Sequence, residues 1–337
     1  MRIAVLGLGF MGSTHLKALR NVSGATLAAV VSADEKKLSG DLSDIQGNLG
    51  GPGEKMDFTG IARYHTVDEA LRDPRVDAVD ICLPTDRHAP VAIDALRAGK
   101  HVLVEKPMAL DGDTADRMIA ESERGGKLLM TAQVLRFFPA YAMTAEIVRS
   151  ARLGPVRSAI FRRRCAAPAW SKWLSDPSVS GGGVFDLLIH DVDYCVQLFG
   201  LPAAVSAVGY EDMPRGIDII TAQFHYPGVD VIVTGGWHHP KAYPFSAEFT
   251  IMADGGTLEY NTAGKPLTLY QSDGMETPVA AGERDGFEAE LEYFIACATT
   301  ESKPIRCPPQ ESAIAVRLAL KMLESRRKNG EKIECKL

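Results

Sequence analysis

The chain opens on an apolar run, Arg2–Leu6, that breaks at Gly7 and enters Gly7-Leu8-Gly9-Phe10-Met11-Gly12, with helical spacing over residues 12–20. A GxGxxG turn between a strand and a helix, at the head of a βαβ pattern, leaves few folds open. Gly7 permits the tight turn, Gly9 lets the backbone approach a pyrophosphate, and Gly12 allows close helix–strand packing with the anion on the helix N-terminus. The spacing predicts a Rossmann domain beginning at residue 1, with Gly7, Gly9, Phe10, Met11 and Gly12 contacting a dinucleotide.

The following pattern agrees. Residues 27–31, 76–83, 101–104 and 128–131 are short apolar runs, and residues 90–98 have helical spacing stopped by Gly99. Continuous Val/Ile/Leu strands separated by helices point to a parallel sheet covered on both faces. Residues 40–60 break the rhythm with Gly47, Gly50, Gly51, Gly53, Gly60 and Pro52, and read as a surface insertion, or else as a loop folding over the nucleotide. Beyond residue 135, strand-like segments follow one another at 156–164, 203–210, 217–225, 229–235, 247–253 and 257–260, several separated by turns such as Pro227-Gly228. Helices are predicted over 184–199, 287–298 and 311–326. The expected fold is α/β: a doubly wound parallel sheet over residues 1–125, then a C-terminal α+β domain over 126–337 with a large, mostly antiparallel open sheet for substrate binding and oligomerisation.

Composition narrows the function. At 337 residues, 46% hydrophobic and 24% charged, the chain buries an ordinary core in about two domains. A net charge of −6 offers no basic surface for nucleic acid. Cys82, Cys165, Cys195, Cys297, Cys307 and Cys335 show no metal-ligand spacing and read as free thiols in a reducing compartment, the cytoplasm. The apolar run before Gly7 is too short for a signal peptide, and none approaches a membrane span. Trp237-His238-His239 would place its histidines on opposite faces of a strand, so no metal is expected.

The second strand should end on an acid that binds a ribose hydroxyl. Here Val31 is followed by Ser32, and the acid comes two residues late, at Asp34. Ser32 with Lys36 and Lys37 nearby would tolerate a 2′-phosphate, whereas Asp34 could still reach a ribose. The cofactor is NAD or NADP, with the balance toward NADP.

Two further segments bear chemistry. Glu105-Lys106-Pro107 closes a parallel strand at its carboxyl end, where open α/β sheets bind ligands, and a lysine there can donate to a reacting oxygen. Gly181-Gly182-Gly183 precedes Asp186 and His190, four apart on one face of a predicted helix and so able to act as an acid–base pair. Asp193 falls near that face and could fix the imidazole tautomer. The glycines would allow close approach to another surface, such as the nicotinamide side of a cleft.

The opening glycines, the stretch from Ile81 through Pro84, Thr85 and His88 to Ala98-Gly99-Lys100-His101-Val102-Leu103-Val104-Glu105-Lys106-Pro107, and the GGGxxxDxxxH stretch resemble, over nearly the whole chain, the Gfo/Idh/MocA oxidoreductase family. The resemblance implies a catalytic trio of Lys106, Asp186 and His190, cofactor contacts from Pro84, Thr85, His88 and Glu105, and a cis Lys106–Pro107 bond. Arg136 and Trp173 match segments facing the substrate, although a core or ion-pair role fits each equally. Trp237 or His238 could border the same pocket. The implied reaction is hydride transfer between NAD(P) and a sugar, sugar acid or cyclitol, in a homodimer or homotetramer. A non-catalytic NAD(P)-binding regulator and an NAD-dependent glycosidase are the alternatives.

Overall fold

The computed structural model describes residues 1–47, 53–168 and 172–336. Strands β1 (Arg2–Leu6), β2 (Thr26–Val31), β3 (Ala62–Tyr64), β4 (Ala78–Ile81), β5 (His101–Glu105) and β6 (Leu129–Ala132) alternate with helices α1 (Phe10–Leu19), α2 (Glu35–Leu38), α3 (Val67–Arg72), α4 (His88–Arg97) and α5 (Gly112–Gly125). All six strands pair in parallel in the order β3-β2-β1-β4-β5-β6. The order reverses between β1 and β4, the position at which doubly wound sheets open a crevice at their carboxyl ends. The central strand β4 and the edge strand β6 are buried throughout, which is why they read as mainly apolar runs.

The glycine-rich 40–60 stretch is not a surface insertion. Leu42, Met56 and Phe58 are buried in one cluster with Val5, Leu8, Leu16, Val30 and Leu38, and Asp41 forms an isolated antiparallel bridge with Lys55. Three large apolar side chains spaced through a glycine-rich segment pin it to the core. Gly50, Gly51 and Pro52 lie outside the described residues.

After α6 (Pro139–Arg149) come β7 (Val156–Cys165), α7 (Pro177–Ser180), a π-helical turn over Val184–Leu188, α8 (Ile189–Phe199), and β8 (Ala204–Asp212), β9 (Ile217–Tyr226), β10 (Val229–Trp237), β11 (Ser246–Ala253), β12 (Gly256–Asn261), β13 (Lys265–Gln271) and β14 (Glu276–Pro278). Two helices, α9 (Gly286–Thr299) and α10 (Pro309–Arg327), and the short β15 (Ile333–Glu334) close the chain. The second sheet has nine strands in the order β14-β13-β12-β11-β7-β10-β9-β8-β15. Only β7 and β10 pair in parallel, as expected for a mostly antiparallel open sheet. Alternate residues of β7 and β9 are buried, and Tyr141 of α6 and Tyr194 of α8 pack edge-on with ring centroids 5.0 Å apart.

The chain divides into two compact units, Met1–Val134 with Asp285–Ala313, and Leu135–Arg284 with Ile314–Leu337. The first unit therefore runs past the expected boundary at 125, because β6 completes the parallel sheet. It also takes back α9, which packs on α1: the Phe287 ring lies 6.0 Å from His15, and Asn21 donates to Glu288.

Candidate active site

In the first unit the glycine turn connects β1 to α1. Gly7 has φ +100°, and a Cβ there would lie 2.5 Å from the Cys82 carbonyl oxygen; one on Gly12 would lie 1.9 Å from that of Gly7. Both glycines are thus demanded by packing. Gly9 is different, because a Cβ there meets nothing within 4 Å. The helix that starts after Gly9 has no side-chain cap and no acid in its first turn, so its leading N–H groups, on Phe10, Met11 and Gly12, face an open approach suited to a pyrophosphate. These residues fit a dinucleotide.

Ser32 follows β2 and donates its N–H to the Tyr64 carbonyl. The Asp34 carboxylate caps α2, accepting from the N–H groups of Lys36 (2.9 Å) and Lys37 (3.3 Å), and the Lys36 ammonium pairs with Asp44. Asp34 is therefore engaged by its own helix, and the residue that directly follows β2 is the hydroxyl-bearing Ser32.

At the carboxyl ends of β4 and β5 stand Pro84, the buried Thr85, the buried Glu105 and the half-buried Lys106, whose bond to Pro107 is cis. His88 is buried, with Nδ1 2.7 Å from the Pro107 carbonyl oxygen and Nε2 2.8 Å from that of Leu83. Burial pushes its pKa down. Both ring nitrogens face backbone carbonyls of the turns after the two strands, and the neutral ring donates to one of the two, bracing these turns. Glu105 Oε2 accepts the Lys106 N–H at 3.1 Å.

Sequence reasoning passed over the partners of Glu105. His15 of α1, buried, lies 2.8 Å through Nδ1 from Asp80 Oδ2 and 3.2 Å through Nε2 from Glu105 Oε1. Cys82 Sγ stands 3.5 Å from Asp80 Oδ1. The available signal was Asp80 itself, a charge inside the apolar strand β4.

In the second unit Asp186 lies on the π-helical turn and His190 on α8. The wider turn keeps positions four apart on one face, and π-turns inside helices are often found at functional sites. From Gly182 to Val196, Asp186 and His190 are the positions that are not buried. The preceding glycines make their close approach within this unit: a Cβ on Gly182 would lie 2.8 Å from Asp218 Oδ2, and one on Gly183 would lie 3.1 Å from the Trp237 ring. Val184 N–H donates to Asp218 at 3.2 Å.

Arg136 is buried and forks onto Asp193, Nε–Oδ2 2.7 Å and Nη2–Oδ1 2.8 Å. Of its two expected roles this is the ion pair, and it occupies both Asp193 oxygens. Arg163 of β7 holds Asp191 in the same way, at 2.7 and 3.0 Å. Trp173 packs on a cluster of Cys165, Leu174, Leu187 and the buried Trp237, so Trp237 serves the core rather than a pocket wall. β10 ends at Trp237, so His238 and His239 lie beyond the strand; their rings sit 4.0 Å apart rather than on opposite faces, and Tyr243 stacks on His239 at 3.7 Å.

Comparison with known proteins adds two family matches. Residues 1–133 match a model described as an oxidoreductase family with NAD-binding Rossmann fold, and residues 141–259 match a GFO/IDH/MocA C-terminal domain. The chain is 32% identical over 322 residues to inositol 2-dehydrogenase 2 of Saccharopolyspora erythraea, covering 89% of this chain and 86% of that one. It is 28% identical over 335 residues to D-xylose 1-dehydrogenase (NADP(+)) 2 of Haloferax volcanii, covering 96% and 97%. The chain spans about half the length of some other curated relatives it matches, 52% and 55% in two cases. Among solved structures it is similar to aldose-aldose oxidoreductase from Caulobacter crescentus in complex with glycerol, with a TM-score of 0.84, 25% identity and 99% of each chain covered.

Proposed function

The chain belongs to the Gfo/Idh/MocA oxidoreductase family, and from that premise we propose that it is an NAD(P)-dependent dehydrogenase or reductase acting on a CH–OH or carbonyl carbon of a sugar, sugar acid or cyclitol. The observation that carries this reading is that Asp186 and His190 are only half-buried in a segment whose other residues, from 182 to 196, are buried. Polar groups presented together from an otherwise buried helix are available to a ligand. His190 would take or give the hydroxyl proton, and Asp186 would orient the imidazole or bind a neighbouring hydroxyl. Lys106 would hold and polarise the reacting oxygen. The nicotinamide cofactor, when bound, supplies the hydride acceptor or donor. Relatives named as an inositol dehydrogenase and a xylose dehydrogenase support a polyhydroxylated substrate.

Of the two cofactors NADP fits better, because Ser32 stands where a ribose-binding acid is expected and Asp34 caps α2. Exposed Ile160, Val208, Tyr210 and Met252 on the nine-stranded sheet favour a homodimer or homotetramer that covers this face. Among the described residues no helix is long and apolar enough to cross a membrane, and the cysteines are free thiols, which supports a cytoplasmic setting.

A panel of polyols, sugars and sugar acids, run with both NAD and NADP, tests the reading. At least one member should drive cofactor reduction, and Lys106→Ala and His190→Ala should each lower kcat/KM by about 10²–10⁴ while cofactor still binds. Full activity in both variants refutes the assignment. Release of free sugar from a glycoside without net reduction would point to the glycosidase instead, and cofactor binding without turnover to a regulator.

A further inference from the structure

We propose that His15 is a positioning residue: shared between the Asp80 and Glu105 carboxylates, it locks the Glu105–Lys106 turn to the helix that follows the glycine turn. The proposal rests on the role given to Lys106 above. His15, Asp80 and Glu105 are 1%, 1% and 5% exposed, so no solvent screens the three groups. Nδ1 is at hydrogen-bond distance from Asp80, 2.8 Å, and Nε2 makes an ion-pair contact with Glu105 at 3.2 Å, too oblique for a full hydrogen bond. A neutral imidazole has one N–H and would turn a lone pair toward one of the two carboxylates. The doubly protonated ring is the form that suits both neighbours.

The groups facing the ring agree with that charge. They are Asp80 from β4, Cys82 directly after it, Glu105 from β5 and the Phe287 ring from α9. Burial opposes the imidazolium, but the Asp80 carboxylate outweighs it and holds the His15 pKa well above its ordinary value. Burial likewise opposes the Glu105 carboxylate, and His15 outweighs that, keeping Glu105 ionised. Breaking such a triad leaves an uncompensated buried charge.

The mechanical consequence runs through one side chain. Glu105 Oε1 is held by His15, and Oε2 accepts the Lys106 N–H. Glu105 therefore couples the orientation of the Lys106 backbone to α1, whose first turn contains Gly12. Displacing a reacting group by about 1 Å can cost about 10²-fold in rate.

The test is His15→Gln in the full-length protein. Cofactor affinity, read by nucleotide fluorescence, should change less than about threefold, while kcat falls about 10–100-fold and KM for the polyol moves less. A purely steric role would give a melting-temperature gap from wild type that is independent of pH. The proposal predicts a gap that widens from about pH 5 to about pH 6.5. Without the cation a buried carboxylate has its pKa raised above the unfolded value of about 4, and the variant loses stability as pH rises through it. The wild type is level until pH passes the unfolded histidine value of about 6.5, above which the contribution of its own raised His15 declines. Histidine-ring NMR should show one imidazolium at pH 7.5 that is missing from the variant. Should His15→Gln not fold, Asp80→Asn keeps the volume and must lower the pH at which that ring deprotonates. A pH-independent gap, a neutral His15 ring at pH 7.5, an unmoved titration in Asp80→Asn, or full kcat in His15→Gln overturns the proposal and leaves the functional reading standing. A wild type that binds cofactor and turns over no polyol overturns the functional reading, and this one with it.

Discussion

The helix bearing His190 is clamped by two buried arginine–carboxylate forks, and the Arg163–Asp191 pair offers a quantitative check on that arrangement. Arg163 and Asp191 side chains are 5% and 1% exposed, with contacts of 2.7 and 3.0 Å. Removing one member leaves the other charged and buried, at a cost of about 3–5 kcal/mol. At about 2–4 °C per kcal/mol for a unit of this size, Asp191→Leu or Arg163→Met alone should lower the melting temperature by roughly 6–20 °C. The double variant Arg163→Met/Asp191→Leu exchanges the pair for apolar groups and should lie within about 1–2 kcal/mol of wild type. No tryptophan lies in residues 1–134 or 285–313, and Trp173 and Trp237 lie in the second unit, so urea unfolding followed by intrinsic fluorescence reads this unit directly. Strong non-additivity, at least about 3 kcal/mol across the cycle, is the expected outcome. A double variant as unstable as the sum of the singles would refute the reasoning, since the two charges would then not be compensating one another.

Further predictions follow from the nucleotide turn and the two strand ends. Gly9→Ala should fold normally, because its Cβ meets no protein atom, yet weaken cofactor binding as titrated by fluorescence; Gly7→Ala, forced to φ +100° against the Cys82 carbonyl, should lower the melting temperature instead. Ser32→Asp should weaken NADP at least tenfold relative to NAD, by placing a carboxylate where a 2′-phosphate would lie, and comparative Kd values for both nucleotides would detect it. Unchanged relative affinity in that variant would remove Ser32 from the specificity argument.

How much of this was legible in the sequence depended on whether contacts were local. β1, β2, β4, β5 and β6 announced themselves because parallel strands buried on both faces are continuous apolar runs. β3, with the sequence Ala62-Arg63-Tyr64, and the exposed edge strand β14 carry no such pattern. Helix α5 was obscured by its charge, although Asp111 caps it through the Thr114 N–H. The candidates Lys106, Asp186 and His190 come from short motifs. His15 and Asp80 were not legible as a pair, because 65 residues separate them and only the β1-β4 adjacency brings them together. The Gly181–Gly183 run was read as a ligand approach, and the packing that demands it, against Asp218 and Trp237, comes from strands far ahead in the chain.

The return of α9 to the first unit has a consequence for how the protein is made. The buried Leu291, Phe294 and Ile295 of α9, together with Phe287 and Glu288, belong to a unit whose glycine turn is translated long before them. That unit cannot close until residue 313 has emerged, by which time nearly all of the second unit is already available to fold. Nascent chains form structure from their N-terminus onward as units become complete. Here the glycine turn therefore waits on a helix translated long after it, and the first unit closes only once most of the second unit has been made.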